Sequence, residues 1–326
     1  MLGKPKTAIT LGVLLLFVLG LVAAGCGDSG KNYKIGIMQI VTHPALDAAA
    51  AGFVEALAAA GYVEGDNVTY ERENAQGEMA NATIIAKKLV GDKCDLILTV
   101  ATPTSQAMVQ ATSTIPIVFT AVTDPVAAGL VANADAPEGN VTGCSDMLPI
   151  QPHLDLIMKV VPTAKTIGLL YNAGETNSVT LVEKEKEAAA AMGLKVVEAT
   201  AANSAEVLGA AQSLAGRCEA ISVLTDNTVV SAIGSVVKVC QENKIALIAG
   251  DIDTVEAGAV AAYAFDYHDH GVQAGNVAVQ ILEGTPISKI PVQYAQNLQL
   301  AINLDAAAAM GVTLSDELKS EADKTF

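Results

Sequence analysis

The chain of 326 residues has no tryptophan, few aromatic residues of any kind (4%) and few basic residues. Arginine occurs only at Arg72 and Arg217. Nineteen lysines and arginines face 35 acidic residues, which gives a formal net charge of −16. Such an acidic chain repels phosphate, so we expect no nucleic-acid partner. Because arginine is scarce, we expect backbone N–H groups, hydroxyls, amides or lysine to bind any anionic ligand group.

Motifs of catalysis and metal binding are also missing from the sequence. There is no Gly-x-Ser-x-Gly nucleophile elbow, and the four cysteines that follow Cys26 have no two-residue spacing. We expect these four to be buried free thiols, with Cys218–Cys240 as the pair to bridge if any does. His268-Asp269-His270 is interpreted as the solvated first turn of a helix, and His153 as a surface helix residue. The sequence therefore predicts no enzyme, no cofactor and no metal site.

The first 26 residues have the pattern of an export signal. Lys4 and Lys6 precede an apolar run over residues 9–24, and small residues come just before Cys26. The end of this segment resembles a bacterial lipobox, although Ala23 stands where leucine is usual. The resemblance implies cleavage before Cys26, palmitate-type acylation of the new N-terminus and anchoring on the outer face of the cell membrane. A retained membrane helix is the alternative interpretation.

From Tyr33 onward, short apolar strands alternate with helical segments, and the rhythm starts again at Thr166. This alternation predicts an α/β fold of two similar Rossmann-like lobes with parallel sheets. A loop is expected to run from the strand at 115–120 to about Asp146, and one helix is expected over 229–243. About 300 residues after cleavage are enough for two cores.

No proline- or serine-rich linker separates the lobes, so three short hinge crossings are expected instead. They are placed near 146–151, near 265–268 and before the strand at 298–303. The expected organisation is a signal peptide (1–25), a lipid-anchored tether (26–33), lobe 1 (34–148 plus about 267–296) and lobe 2 (149–266 plus about 297–326). Hinged lobes of this kind close on a ligand between them.

In open α/β sheets, ligands bind beyond the carboxyl ends of the strands, where loops lead into helices. Those loops are polar here. The candidate ligand-binding residues are Gln39, His43, Thr102, Thr104, Ser105, Asp124, Asn177, Ser178, Thr225, Asp226, Asn227, Asp251 and Tyr267. For each loop the alternative is a helix N-cap, which favours the same residue types. We expect several of them to have both roles.

Eight segments of the chain carry a recognisable pattern, at residues 43–47, 74–77, 101–106, 115–130, 139–143, 171–172, 177–178 and 225–227. They resemble the substrate-binding lipoproteins of bacterial ABC importers, specifically the group that binds tryptophan or tyrosine. The resemblance covers nearly all of the mature chain. It implies a type 1 periplasmic-binding-protein architecture, a ligand in the cleft, and a monomer that delivers it to an ABC permease and its ATPase. It also implies that the lipid is the only contact with the membrane.

The cleft residues themselves describe a site for an α-amino acid. Thr104 and Ser105 open a helix and suit a carboxylate, whereas Asp124, Asp226 and Asp251 are candidates for the ammonium group. The family points to an aromatic side chain. A nucleoside or another small polar metabolite stays open as ligand, because His43, Tyr171 and Tyr267 suit a ring of either kind. A sensory receptor of the same fold stays open as function.

Overall fold

The structure, a computed structural model, describes residues 31–326; the expectations for the signal peptide and Cys26 lie outside these residues. Residues 33–326 fold around two sheets. The first sheet consists of β1 (Tyr33–Gln39), β2 (Val68–Asn74), β3 (Leu96–Val100), β4 (Ile117–Val122), β5 (Val141–Ser145) and β11 (Gln293–Tyr294). Its strand order is β11-β5-β4-β3-β1-β2. All of its strand pairs are parallel.

The second sheet consists of β6 (Thr166–Tyr171), β7 (Lys195–Thr200), β8 (Ala220–Val223), β9 (Ala246–Ala249), β10 (Ala261–Ala264), β12 (Gln299–Ile302) and β13 (Lys324–Thr325). Its strand order is β13-β12-β10-β9-β8-β6-β7. Only β10 and β12 pair antiparallel. The central strands of both sheets are buried on both faces, which explains their continuous runs of valine, isoleucine, leucine and alanine. The α/β fold of two lobes with parallel sheets is thus confirmed.

Twelve α-helices connect and cover these strands within residues 31–326. They are α1 (Pro44–Ala59), α2 (Met79–Gly91), α3 (Thr102–Ala111), α4 (Ile150–Val160), α5 (Thr176–Ala191), α6 (Val207–Leu214), α7 (Asn227–Ser231), α8 (Ile233–Asn243), α9 (Ile252–Glu256), α10 (Tyr267–Leu282), α11 (Leu304–Ala309) and α12 (Asp316–Glu321). α1 and α10 pack closely, since a Cβ at Gly271 would lie 2.0 Å from the Ala49 carbonyl oxygen. None of the helices in this part of the chain has the length and apolar character that crossing a bilayer requires.

The chain passes between the two sheets three times. It leaves the first sheet after β5, returns with α10 after β10, and leaves again between β11 and β12. The three crossings expected from the sequence lie at these places. Because every passage is short, the loops at the carboxyl ends of both sets of strands are held near one another.

Two details of the sequence expectation are wrong. The loop expected up to Asp146 contains β5, whose Val-Thr-Gly-Cys-Ser sequence shows no alternation of apolar and polar residues. The helix expected over 229–243 is two helices, α7 and α8, separated at Ala232. The four cysteines expected to be buried free thiols, Cys94, Cys144, Cys218 and Cys240, are all buried and free.

Candidate functional site

A narrow pocket of about 20 Å³ lies between the two lobes, and it is called the cavity below. It is lined by His43, Ala45, Leu46, Ala121, Thr123, Asp146, Asn177, Thr225, Asp226, Asn227, Val230, Asp251 and Tyr267. These residues come from the ends of β4, β5, β8 and β9 and from the starts of helices α1, α5, α7 and α10. Both lobes therefore contribute a carboxyl-end edge to one cavity, as the position of ligand sites in open α/β sheets leads one to expect.

Seven of the thirteen candidate residues line this cavity: His43, Asn177, Thr225, Asp226, Asn227, Asp251 and Tyr267. Sequence reasoning did not select two further polar residues, Thr123 and Asp146. Asp146 directly follows β5, so the rule that selected the other loops applies to it once that strand is recognised.

The hydroxyl residues of α3 do not line the cavity. The Thr104 hydroxyl donates hydrogen bonds to the carbonyl oxygens of Val100 (2.8 Å) and Ala101 (2.9 Å). Ser105 donates to the Ala101 carbonyl oxygen (3.0 Å), and Thr102 is buried with no partner for its hydroxyl. The expectation that Thr104 and Ser105 meet a carboxylate is not supported by this placement, because their hydroxyls bond back to their own chain.

Three other candidates also lie outside the cavity lining. The Gln39 amide donates to Asp47 (2.6 Å) and to the Val41 carbonyl oxygen. The Asp124 carboxylate accepts hydrogen bonds from the backbone N–H groups two and three residues after it, which is a local turn. Ser178 stands behind the cavity wall and donates to Asp226 (2.6 Å).

Asp226 is both a cavity residue and the N-cap of α7. Its carboxylate accepts hydrogen bonds from the backbone N–H groups of Val229 (2.7 Å) and Asn172 (2.6 Å) as well as from the Ser178 hydroxyl. Burial raises the pKa of Asp226, and the nearby carboxylate of Glu175 raises it further. A carboxylate offers about four acceptor positions, so Asp226 has about one left.

Asp251 and Asp146 have more free acceptor capacity. Asp251 accepts from the Thr254 N–H and hydroxyl, both at 2.7 Å. Asp146 accepts from the Tyr267 hydroxyl (2.7 Å) and from Thr123 (3.1 Å). Burial raises the pKa of Asp251 to about 6, and it also raises the pKa of Asp146. Both carboxylates keep about two acceptor positions each for a cationic group.

The N-terminus of α1 faces the same cavity. Ala45 and Leu46 of its first turn are lining residues. His43, the residue before the helix, gives it no side-chain cap, and its own Nδ1 is buried with no partner. Burial lowers the pKa of His43 to about 4, so its ring is neutral at pH 7. An uncapped helix N-terminus attracts a carboxylate through its free N–H groups.

Polar contacts join the two lobes at the cavity and beside it. The hydroxyls of Thr123 and Thr225 lie 3.3 Å apart. Gln106 of α3 donates a hydrogen bond to the Thr176 hydroxyl of α5 (3.2 Å). Such contacts require the lobes to be near each other, which is a closed arrangement of the cleft.

The interpretations of two histidines as exposed are wrong. His153 is buried, and its Nε2 lies 2.8 Å from the Ser222 hydroxyl. His270 is buried in the hinge region, against Phe265 and Tyr267. His268 remains partly exposed and contacts Glu55 (3.1 Å).

Residues 34–326 match the model of a family described as ABC transporter substrate binding protein. The chain belongs to this family. It is a substrate-binding protein rather than an enzyme, and substrate-binding proteins of ABC transporters act outside the cytoplasm. The resemblance expected from the sequence motifs is thus confirmed.

Three relatives show how close the similarity is. The chain is 44% identical to a tyrosine-binding protein of Clostridioides difficile (strain R20291), over 87% of this chain and 82% of the relative. It is 35% identical to a Streptococcus pneumoniae ABC domain solved in complex with L-Trp, with a TM-score of 0.88, over 91% of this chain and 100% of that one. A ligand-free, open substrate-binding protein with adhesive properties from Clostridium difficile is 41% identical, with a TM-score of 0.68, over 90% of this chain and 98% of that one.

The two structural comparisons differ in a way that sequence does not explain. The open, ligand-free relative is more similar in sequence, yet the structure superimposes better on the relative that holds L-Trp. This order indicates that the lobes adopt the arrangement of the ligand-bound relative. The hydrogen bonds between the lobes agree with it.

Proposed function

We propose that the protein is the solute receptor of an ABC importer. In this role it binds an amino acid with an aromatic side chain and delivers it to the permease. The observation that carries the proposal is the composition of the interlobe cavity. Three carboxylates, of Asp146, Asp226 and Asp251, line it, and lysine and arginine are absent from its lining. The site therefore favours a ligand with a positive charge.

The remaining groups of the cavity match the other parts of an α-amino acid. The uncapped first turn of α1 suits the carboxylate. An apolar side is formed by Ala45, Leu46, Ala121 and Val230, with the rings of His43 and Tyr267 beside it. An apolar wall with flanking rings suits an aromatic side chain. The tyrosine- and tryptophan-associated relatives support the same ligand class.

Within the cavity, we assign the ammonium group to Asp251 and Asp146 rather than to Asp226. Their free acceptor positions are the reason, since most of the capacity of Asp226 is used to cap α7. The unpartnered Oδ1 of Asn177 adds a further acceptor. The earlier candidate Asp124 is not included, because its carboxylate serves a turn outside the cavity.

A panel of ligands and two matched variants test this assignment. Asp251→Ala should weaken binding of L-tryptophan or L-tyrosine by about 2–5 kcal/mol, because it removes the partner of a buried charge. Asp124→Ala, a change of the same residue type outside the cavity, should leave affinity within a factor of about two. Equal losses in both variants would contradict the placement of the site.

We also propose that the receptor is anchored to the membrane through a lipid on Cys26. The basic start, the apolar run and the small residues before this cysteine support the anchor. Cys26→Ser should leave the protein unprocessed or release it from the membrane fraction. Acyl labelling and membrane attachment that survive the substitution would contradict it.

The lobe boundaries are likewise a proposal: lobe 1 comprises 34–148 and about 267–296, and lobe 2 comprises 149–266 and about 297–326. The assignment of strands to two sheets supports it. Opening about these crossings would admit the ligand, and closure would remove it from water.

A further inference from the structure

The carboxylate of Glu175 is buried behind the cavity wall and holds two side chains of that wall in place by hydrogen bonds. Glu175 directly precedes α5 and is 7% exposed. It does not line the cavity itself. The charge of such a buried group needs several donors, and it finds them on the loop that begins α7.

Glu175 accepts hydrogen bonds from three residues. One oxygen, Oε1, accepts from the Thr228 N–H (3.0 Å) and hydroxyl (2.8 Å). The other, Oε2, accepts from the side-chain NH₂ groups of Asn227 (2.5 Å) and Asn177 (3.0 Å), and from the Asn227 backbone N–H (3.2 Å). Both amides that contact Glu175 belong to residues that line the cavity.

A carboxylate accepts hydrogen bonds and cannot donate them, so it fixes which end of each amide faces it. The NH₂ groups of Asn177 and Asn227 must point to Glu175, and their oxygens point the other way. Asn177 is fixed twice, since its NH₂ also donates to the Thr225 carbonyl oxygen (2.8 Å). The side-chain NH₂ of Asn227 donates its hydrogen bond to Glu175.

The orientation of these amides decides the polarity of the cavity. The buried Oδ1 of Asn177 has no partner. Together with the three cavity carboxylates it makes an acceptor-rich wall. With either amide reversed, an NH₂ donor would face the same space and would oppose a cationic ligand.

We propose that Glu175 is a positioning residue that makes the cavity selective for an ammonium group over a hydroxyl at the same place. It acts by fixing the orientation of the Asn177 and Asn227 amides. The Asn177 Oδ1 is left without a protein partner, and the Asn227 side chain also hydrogen-bonds the His43 ring. The inference rests on the proposed amino-acid function and extends it to the choice between an amino acid and the α-hydroxy acid of the same side chain.

The test measures the affinities of L-tryptophan and indole-3-lactate, and of L-tyrosine and 4-hydroxyphenyllactate. Glu175→Gln replaces two acceptor oxygens by one oxygen and one NH₂, so Thr228 and the two asparagines compete for a single acceptor and Asn227 is no longer held with its NH₂ away from the cavity. The preference for the amino acid over the hydroxy acid should decrease by a factor of about 10 to 100, which corresponds to the loss of one hydrogen bond to a charged group. An unchanged preference would overturn the proposal.

Two further variants separate positioning from the charge of Glu175. Glu175→Asp keeps the charge but withdraws the carboxylate by one methylene, so it should also lose preference; wild-type preference in this variant would show that charge suffices. Thr228→Val removes a hydrogen bond to the same carboxylate without touching the amides. It should keep the preference, and a loss equal to that of Glu175→Gln would overturn the positioning role.

If Glu175→Gln does not fold, the wild-type protein supplies the readout. The side-chain NH₂ protons of Asn177 and Asn227 should exchange with water slowly in NMR spectra, with or without ligand, and fast exchange at both would contradict the inference. Failure of the wild-type protein to bind any of the four probes would instead count against the proposed function. The two failures are therefore distinguishable.

Discussion

The buried carboxyl group of Glu185 predicts a specific dependence of stability on pH. Glu185 lies on α5 and is 1% exposed, with the His153 ring nitrogen 3.7 Å from its Oε1. Burial raises its pKa from the usual 4.5 to about 7, although a hydrogen bond with Ser222 acts in the opposite direction. Burial also lowers the pKa of His153 to about 4, so the ring brings no compensating charge near neutral pH.

The size and sign of the effect follow from these values. The folded state holds a proton on Glu185 that the unfolded state has already lost, so stability falls as pH rises from about 4.5 to about 7. The pKa differs by about 2.5 between the two states, and each unit corresponds to about 1.4 kcal/mol, which gives about 3 kcal/mol in total. Glu185→Gln keeps the shape of the protonated acid and cannot ionise. The variant should gain stability relative to the wild type across this pH range.

Urea unfolding of both proteins at a series of pH values measures the difference. The free energy of unfolding of Glu185→Gln minus that of the wild type should increase by about 3 kcal/mol between pH 4.5 and pH 7.5. Groups distant from Glu185 titrate alike in both proteins and cancel in the difference. Glu187→Gln, on the exposed side of the same helix, is the matched control. A difference for Glu185→Gln that stays constant with pH would refute the argument.

Three further results are expected. In the wild type, affinity for L-tryptophan or L-tyrosine should fall about tenfold between pH 7 and pH 5 in calorimetry, because the ammonium group needs Asp251 ionised and the pKa of Asp251 is about 6. The affinity of Asp251→Asn should be lower and should vary less with pH. A wild-type affinity that rises toward pH 5 would count against the role of Asp251. Saturating amino acid should compact the protein in solution scattering, since the lobes close by hinge motion, and an unchanged radius of gyration would oppose closure. The same ligand should raise the melting temperature by about the amount that mass action requires, and no rise at a hundredfold excess over Kd would mean that it does not bind the native state.

The central parallel strands were predictable because they are buried on both faces. β3, β6 and β9 are short, mostly apolar runs that stand out from the polar segments beside them. β5 was missed because Gly143 interrupts its apolar pattern. Asp146 was missed with it, since the residue at the end of an unrecognised strand is not recognised as part of a cavity.

The side-chain partners of polar residues were not predictable from sequence. Thr104 and Ser105 have the residue types of an anion site, yet a hydroxyl near a helix start can equally bond to the preceding carbonyl groups. His153 has the spacing of an exposed helix residue but meets Ser222, which is 69 residues away. Such pairs depend on which elements pack together, and one sequence does not fix that.

Calorimetric titration of the wild-type protein with the twenty amino acids, nucleosides and sugars tests whether the cavity binds an aromatic amino acid. We expect L-tryptophan, L-tyrosine or L-phenylalanine to bind most tightly, with no comparable heat from nucleosides or sugars. Tight binding of a nucleoside or an aliphatic acid, with none of the aromatic amino acids bound, would contradict it.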